Sequence, residues 1–333
     1  MSLYRARLKD TPLLPITRID VNLEGKWTRT SQGNSSYSQT MATQTKILIF
    51  TTTQNLTNLV AADVIYGDGT FYTSPTQFFS TVYTARKGRR SHVSYCRFSL
   101  LPNKSEQTYD RLFNLLKTAC QQHHLQLAPQ IFFTDFEIAI RNSAQRAFAN
   151  ITLRGCFFHF TQCIWRKTQN LGLATAYKNN EDLRLLVRRA AVLPLVPPQL
   201  VEDVWFTALE DAEEIAINTT AFADYVTEYW VEGYNRQHWN HFSNEGPRTN
   251  NHLEGWHSKL KKHVNHAHPN IYILIEILKK TQANTEANQL TSLKYRNINN
   301  RLATLKECFL QGELTVQDYA DQATFLLHME IRQ

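Results

Sequence analysis

Cysteine is sparse in this chain, and its spacing follows no recognisable pattern. The five cysteines among 333 residues are scattered, and none forms a CxxC pair. Dense, regular cysteines mark disulfide-stapled secreted domains, and CxxC pairs mark zinc ribbons and redox motifs. We therefore expect a protein of a reducing compartment that needs no disulfide.

Long apolar runs are also missing. No stretch approaches the ~18 apolar residues of a membrane-spanning helix, and the first ten residues lack the apolar centre of a signal peptide. We expect a soluble, intracellular protein with no membrane partner. With 42% hydrophobic and 11% aromatic residues, the chain has enough apolar material for a folded core.

Two segments each lack charged residues of one sign, acidic in the first and basic in the second. Residues 69–105 contain six Lys or Arg and no acid, whereas residues 201–232 contain nine acids and no Lys or Arg. The formal net charge of +7 favours an anionic partner. The uneven distribution predicts that one surface meets phosphates and another does not.

The patterning predicts a sheet followed by helices. The order is three strands, a helix, a strand, a helix and a strand, and the pattern is almost wholly helical from His159 onward. The first three strands read as an antiparallel meander, and the helical crossovers imply parallel pairing later in the sheet. The strands are expected at 64–66, 78–84, 92–101, 129–135 and 151–158, and the helices at 106–124, with Ser105 as its N-cap, and at 137–148.

Two acidic residues end strands of this predicted sheet. Asp68 follows the apolar run at 64–66 and lies between Gly67 and Gly69, where glycine permits a sharp turn. Asp135 is the last residue of the run at 129–135. On neighbouring strands, the two carboxylates would meet at the C-terminal edge, where open α/β sheets bind ligands. A cation would then relieve their repulsion, and carboxylate oxygens suit Mg²⁺.

A third acid usually completes such a metal site. Glu254 is the candidate, because it lies one turn into a helix opened by Thr249, Asn250 and Asn251. The alternative interpretation makes each of the three acids an ordinary turn or helix-start residue. Spacing alone does not decide between the two interpretations.

Four segments, in order, resemble the Mutator-like element (MULE) transposase domain. They read GDGTF at 67–71, FTDFEIA at 133–139, GCFFHF at 155–160 and RTNNHLEGWH at 248–257. The resemblance covers roughly residues 60–265. It implies an α/β fold in which an RNase H-like core, a five-stranded mixed sheet with flanking helices, is interrupted by an all-α insertion before the last catalytic helix.

The patterning and the resemblance together imply a division of the chain into five parts. Residues 1–60, with one apolar run at 47–50, are a partly ordered N-terminal lead-in with one or two strands, and residues 61–166 form the RNase H-like core. Residues 167–247 form the helical insertion, 248–268 the final catalytic helix, and 269–333 a C-terminal helical region.

The resemblance also implies an activity. Asp68, Asp135 and Glu254, separated by gaps of 67 and 119 residues, correspond to the DDE triad of a DNA transposase. Such a triad holds two Mg²⁺ (or Mn²⁺) ions for strand cleavage and strand transfer. The implied partners are transposon ends and target DNA, with a homodimer or higher oligomer also open, and the implied location is the nucleus.

Cys156 and His159 form a CxxH pair that has two interpretations. The pair reads as half a zinc site, or as a small buried residue and a hydrogen-bonded structural group beside the sheet edge. The ligand set is incomplete and irregularly spaced, so we favour the structural interpretation and expect no zinc. In the resembling family, this pair accompanies the triad without ligating the catalytic metal.

Basic residues near the predicted site are candidates for DNA contacts. A solvated surface is the alternative for each of them, but beside a DNA site we expect phosphate contacts. Trp205, Trp230 and Trp239 lie in the predicted insertion, where relatives can stack an aromatic ring on a displaced base, although core packing is favoured. The basic candidates are Arg86, Lys87, Arg89 and Arg90 in a predicted hairpin turn, with Lys259, Lys261 and Lys262 on the Glu254 helix.

Three functions fit these features. The first is a DDE transposase catalytic domain. The second is a truncated or domesticated derivative that binds DNA or regulates without catalysis, because residues 1–60 contain no cysteine or histidine for the zinc module that full-length members usually carry. The third is an RNase H-like nuclease that cuts DNA without joining it.

Overall fold

The computed structural model describes most of the chain as two compact units. It describes residues 12–31, 33, 45–87, 93–212, 217–244, 248, 260–264, 266–285 and 293–326, with the backbone alone for 81–87, 93–97, 281–285 and 293–297. The first unit comprises Met1–Leu153 and Asn250–Gln289, and the second Arg154–Thr249 and Leu290–Gln333. The protein is mixed α/β.

The first unit is built on a sheet with the strand order β1-β4-β3-β2-β5-β6. β2, β3 and β4 form the expected antiparallel meander, and β5 pairs in parallel with β2. The chain passes to the second unit within β6. The strands are β1 Leu48–Phe50, β2 Val64–Thr70, β3 Ser80–Lys87, β4 Val93–Leu101, β5 Ile131–Thr134 and β6 Thr152–Gly155.

The expected count of five strands is wrong, because the sheet has six. β1 lies within the predicted lead-in and pairs antiparallel with β4. Its continuous run of buried apolar residues, Ile47 to Phe50, is typical of a strand covered on both faces. A strand was expected in the lead-in, but its place in this sheet was not, and helix α1, Thr53–Val60, was not predicted. Thr52 caps it by accepting a hydrogen bond from the Asn55 backbone N–H at 3.2 Å.

Two helices cover one face of the sheet. α2, Glu106–Gln121, and α3, Ile138–Ala147, pack against each other. The expected cap of α2 is confirmed, because the Ser105 hydroxyl accepts a hydrogen bond from the Thr108 N–H at 3.2 Å. The apolar face of α2 joins side chains of β1, β2 and β5 in one buried core. That core includes Ile49, Ile65, Leu112, Phe113, Leu116 and Phe132.

The second unit is helical in the residues that the structure describes. The last turn of α6 is buried on all sides, because Ala190, Ala191 and Val192 and the following Leu193 are each 0% exposed. Among the described helices, none is both long and apolar enough to cross a membrane. The helices are α4 Phe157–Asn170, α5 Ala174–Asn179, α6 Glu181–Val192, α7 Val201–Glu210, α8 Thr220–Asp224, α10 Leu293–Leu310 and α11 Val316–Leu326, with a π-helical segment at Tyr225–Gly233, while α9, Ile271–Thr285, lies in the first unit.

Arg189 of α6 ties three parts of the second unit together. Its side chain is only 7% exposed and makes two bonds to Asp321 of α11, at 2.7 and 2.9 Å, and one to Asp211. Burial lowers the pKa of Arg189, but the two carboxylates raise it by more, so the net pKa lies above the usual value. The guanidinium therefore stays charged inside the unit, which requires both partners.

His241 holds a loop of the second unit against the end of β6. Its Nε2–H donates to the Gly155 carbonyl at 3.0 Å, and the Asn244 amide donates to Nδ1 at 3.3 Å. Burial, with the positive charges of Arg154 and Arg248, lowers the pKa of His241 from 6.5 to about 3. The ring is therefore neutral in the folded protein near neutral pH.

Candidate active site

The carboxyl ends of β2, β4 and β5 meet at one edge of the sheet. β3 is antiparallel to both β2 and β4, so β2 and β4 run in the same direction. β5 pairs in parallel with β2 and runs in that direction too. Residues that end these strands or directly follow them therefore converge at a single edge, which is where ligands bind in open sheets.

Asp68 and Asp135 lie at this edge in matching positions. Along β2 and β5, Val64 pairs with Ile131 and Tyr66 with Phe133, so partners are 67 residues apart. Asp68 and Asp135 are separated by the same 67 residues.

The pleat of the two strands places both carboxylates on one face. The rings of Tyr66 and Phe133 pack with centroids 5.3 Å apart, and each aspartate lies two residues beyond one of these rings. Because side chains alternate along a strand, a step of two residues returns to the same face. Both aspartates line one small, open cleft.

Asp68 lies inside a strand, not at its end. β2 continues through Asp68 to Thr70, and Asp68 pairs with Tyr83 of β3. The expectation that the strand turns at Gly67 is therefore wrong. A Cβ on Gly67 would lie 2.7 Å from Cζ and 2.9 Å from Cε2 of the Phe132 ring. Glycine is needed here for close packing against β5.

Backbone N–H groups orient both carboxylates. The Gly69 N–H donates to Asp68 Oδ1 at 2.9 Å, and the Glu137 N–H donates to Asp135 Oδ1 at 3.1 Å. Asp68 is 8% exposed. A partly buried carboxylate held by a main-chain donor has few rotamers open to it, which is the arrangement that a ligand for a cation requires.

Three further residues of the cleft were not predicted as site residues. Lys104 forms an ion pair with Glu137, with Nζ 2.5 Å from Oε2, and the Tyr109 hydroxyl donates to Glu137 Oε1 at 2.7 Å. All three line the cleft with the two aspartates. Burial, with the negative charges of Glu137 and Asp135, raises the pKa of Tyr109 far above its usual value, so its hydroxyl remains a donor.

Glu254 lies outside the described residues, so the third predicted acid has no observed position. Among the residues described, no three His, Cys, Asp or Glu side chains form a group that could hold a metal ion. Both oxygens of Glu137 accept hydrogen bonds, one from Lys104 and the other from Tyr109. Asp68 and Asp135 place two carboxylates on one cleft, and hard oxygen ligands of this kind fit Mg²⁺ or Mn²⁺ in chemistry.

The predicted DNA-contact residues fall into two groups. Lys261 and Lys262 are exposed on a helical turn at 260–263, and Lys261 Nζ lies 4.6 Å from the centroid of the Tyr72 ring. Tyr72 follows β2 closely, so this lysine lies in the part of the first unit that carries Asp68. Arg89, Arg90 and Lys259 lie outside the described residues. Arg86 and Lys87 belong to β3, not to a turn, and their side chains lie outside the described part.

Cys156 and His159 lie at the start of α4. Cys156 is fully buried and is the N-cap residue of the helix. The four cysteines with described side chains are free thiols. Within the described chain, this pair belongs to no group of three or more His, Cys, Asp or Glu side chains that could hold a metal ion. The structural interpretation stays a prediction.

The tryptophans of the predicted insertion are core residues. Trp205, Trp230 and Trp239 are each 0% exposed. Their indole N–H groups have partners in the Thr227 hydroxyl at 2.8 Å, the Tyr225 hydroxyl at 3.1 Å and the Tyr234 carbonyl at 3.4 Å. Core packing, the favoured interpretation, describes all three, since none presents a ring to a base.

Comparison with known proteins gives one family. Residues 64–163 match the family model described as the MULE transposase domain. No curated protein matches the chain. The matched span runs from the start of β2 into α4 and contains Asp68, Asp135 and the Lys104–Glu137 pair. The chain therefore carries a MULE transposase domain over residues 64–163.

Proposed function

We propose that this chain is the catalytic domain of a DDE-type DNA transposase with an RNase H-like core. The observation that carries the proposal is the β2–β5 register, which brings Asp68 and Asp135 to one cleft inside the matched span. The order of three antiparallel strands, a helix, a parallel strand, a helix and a strand supports the RNase H-like assignment. The reaction class is phosphoryl transfer on DNA.

Asp68, Asp135 and Glu254 would hold two Mg²⁺ or Mn²⁺ ions. The chemistry that such ions supply is activation of the attacking oxygen and stabilisation of the leaving oxygen in an in-line displacement. The charge of the cleft supports the need for cations. Its described side chains carry three carboxylates and one ammonium group, and this net negative charge repels a DNA phosphate unless cations offset it.

The contribution of the chain itself is position. Asp68 is fixed by its pairing with Tyr83 of β3 and by the Gly69 N–H, on a strand that also pairs with β5 up to Tyr66. Asp135 is fixed by the Glu137 N–H, and Glu137 is anchored in turn by Tyr109. Ligands held before substrate arrives need little reorganisation during the reaction, which lowers the barrier to the chemical step.

The partner of this site is DNA, as the domain implies in general. We further propose contacts from Lys261 and Lys262, with Lys259 and the basic residues at 86–90, to the DNA backbone. A nuclear location and assembly into a homodimer or larger oligomer belong to the same proposal.

The test is strand nicking and strand transfer on labelled DNA with Mg²⁺ or Mn²⁺. Asp68→Asn and Asp135→Asn keep the shape of each side chain but remove its charge. Asp63→Asn is the matched control, because Asp63 is exposed and lies at the opposite end of β2. We expect the two site variants to lose activity by on the order of 10³-fold or more, and the control to retain it.

The outcomes of this assay distinguish the three candidate functions and test each site residue. Wild-type rates in Asp68→Asn or Asp135→Asn would remove that residue from the site. Nicking without strand transfer would favour the nuclease. DNA binding without metal-dependent activity in the wild type would favour the non-catalytic, domesticated derivative and refute the catalytic proposal.

A further inference from the structure

Hydrogen bonds within the turn that follows β4 fix the backbone that carries Lys104 at the edge of the sheet where the site lies. It follows β4, whose carboxyl end meets those of β2 and β5. The Asn103 side chain accepts hydrogen bonds from the Ser105 N–H at 3.0 Å and the Thr108 hydroxyl at 2.6 Å. Ser105 then caps α2. The backbone that carries Lys104 is therefore fixed by a capped turn, not by a loose loop.

The ammonium group of Lys104 lies between the ends of β2 and β5. Nζ is 2.5 Å from Glu137 Oε2, two residues beyond Asp135, and 4.5 Å from the centroid of the Phe71 ring, which directly follows β2. Asp68, near the end of β2, and Asp135, directly after β5, line the same cleft. The side chain of Lys104 is 30% exposed and lines the cleft, so solvent and substrate can reach it.

Glu137 orients Lys104 but accepts only one of the hydrogen bonds that its ammonium group can donate. An ammonium group carries three N–H donors, and Glu137 accepts one of them. The other Glu137 oxygen accepts from Tyr109, which is buried. The carboxylate is thus a fixed anchor, whereas the flexible lysine stem allows Nζ to leave it for another anion.

We infer that Lys104 binds a DNA phosphate next to the scissile position and that Glu137 positions it before DNA arrives. This inference rests on the proposed function for its choice of DNA as the anion. Lys104 is the single cation among the described residues that line the cleft. When a phosphodiester enters, the ammonium group exchanges Glu137 for a phosphate oxygen, or donates to both.

A purely structural ion pair predicts a different outcome. At 30% and 19% side-chain exposure, such a pair stabilises the fold by ~1 kcal/mol at most, and removing either partner has the same effect. For a phosphate ligand, the two partners act in opposite directions. Loss of the lysine weakens DNA binding, whereas loss of the Glu137 charge removes a competitor for the ammonium group.

The experiment measures binding of a fluorescein-labelled mixed-sequence DNA duplex by anisotropy across a salt series. Ca²⁺ replaces Mg²⁺, because its looser coordination does not impose the octahedral geometry of Mg²⁺. The variants are Lys104→Gln, Lys104→Arg and Glu137→Gln; glutamine at 137 still accepts from Tyr109, and the backbone N–H to Asp135 is untouched. Arg146→Gln is the control, because Arg146 pairs with Glu106 and Asp110 outside the cleft.

We expect Lys104→Gln to weaken binding on the order of 5–10-fold and to reduce the salt slope by about 0.9, the loss of one phosphate contact. Lys104→Arg restores most of the affinity, and Glu137→Gln binds as tightly as wild type or tighter. Unchanged binding by Lys104→Gln, or equal weakening by Lys104→Gln and Glu137→Gln, overturns the inference. So does a wild type that binds no DNA.

Nicking assays on the same variants separate this inference from the proposed function. A wild type that fails to cut DNA but shows the binding pattern above refutes the catalytic proposal and supports the phosphate contact. A wild type that cuts DNA while Lys104→Gln binds and cuts normally leaves the catalytic proposal intact and refutes the role of Lys104.

Discussion

Gly67→Ala is predicted to destabilise the first unit, although glycine within a strand is itself unfavourable. Replacing a strand glycine ordinarily stabilises a protein by ~0.5–1 kcal/mol, because alanine has less backbone freedom to lose. At this position the added Cβ would lie 2.7 Å from Cζ of Phe132. Carbon atoms in contact are separated by ~3.5 Å or more, so the ring has to retreat by about 0.8 Å.

The Phe132 ring has little room for that movement. It is 2% exposed, and its centroid lies 5.9 Å from that of Phe113, which packs edge-on at 87°. Phe113 in turn contacts Phe148 at 5.4 Å. Overpacking a core of this kind costs ~1–3 kcal/mol, so we expect Gly67→Ala to lower the free energy of unfolding of the first unit by ~1–2 kcal/mol.

A double-mutant cycle with Phe132→Leu tests the cause directly. Leucine lacks the ring atoms that the new Cβ meets, so Gly67→Ala should be better tolerated in that background, with a coupling energy of ~1 kcal/mol or more. The measurement is native-state hydrogen exchange of peptides from β2 and β5, which reports the stability of this unit separately. Additive effects in the cycle, or a more stable Gly67→Ala protein, would refute the close-packing explanation.

Three further predictions concern buried polar groups. The pKa of His241 falls to about 3 on folding, so the neutral ring stabilises the fold fully above pH 6.5, and this stabilisation is lost as pH falls from 6.5 towards 3. Wild type should therefore lose ~1.4 kcal/mol more unfolding free energy than His241→Gln between pH 7.5 and 5.5, measured by urea titration. An equal loss in both proteins would contradict the assigned pKa. Asp321→Asn should lower the thermal midpoint more than Asp211→Asn, because Asp321 binds Arg189 through both oxygens and is 30% exposed against 55%; equal shifts would contradict this ranking. Tyr109→Phe should lower the free energy of unfolding, measured by hydrogen exchange of α2, by ~1.5–3 kcal/mol, because it removes a hydrogen bond to a charged group. A decrease below ~0.5 kcal/mol would show that the bond contributes little.

Local rules predicted the helices and strands that carry local signals. Ser105 caps α2 because a serine before a helical pattern satisfies the first free N–H groups, and the structure shows that bond. α1 was missed because its first turn is polar and only Leu56 and Leu59 face the core. A short helix with two buried anchors has no periodicity long enough to detect.

Pairing between distant segments could not be read from local patterns. The apolar run at 47–50 was recognisable as a strand, but its partner, β4, follows some 50 residues later. Nothing in the run itself specifies a partner, because a strand buried on both faces lacks the alternation that distinguishes one register from another. The sixth strand of the sheet was therefore left in the lead-in.

The two aspartates were predictable and the residues around Lys104 were not, although one rule covers both. Carboxyl ends of strands that run in the same direction share an edge. The rule was applied to β2 and β5, where an acid ends an apolar run. Applied to β4, it would also have placed Lys104 at that edge, three residues after Leu101. The attachment of Lys104 to Glu137 depends on side-chain geometry, which strand order does not contain.

Strand register, not the number of residues between them, brings Asp68 and Asp135 together. β3, β4 and α2 lie between β2 and β5, and the loops that join them lie outside the β2–β5 pairing, so changes in loop length leave the pairing intact. A shift of one residue in that pairing would turn Asp135 to the opposite face, whereas a shift of two would keep the face and separate the carboxylates by two residues along the strands, about 7 Å. The packing of Tyr66 on Phe133, one side-chain repeat before the aspartates, opposes both shifts. The aromatic contact that stabilises the sheet therefore also holds the two carboxylates side by side.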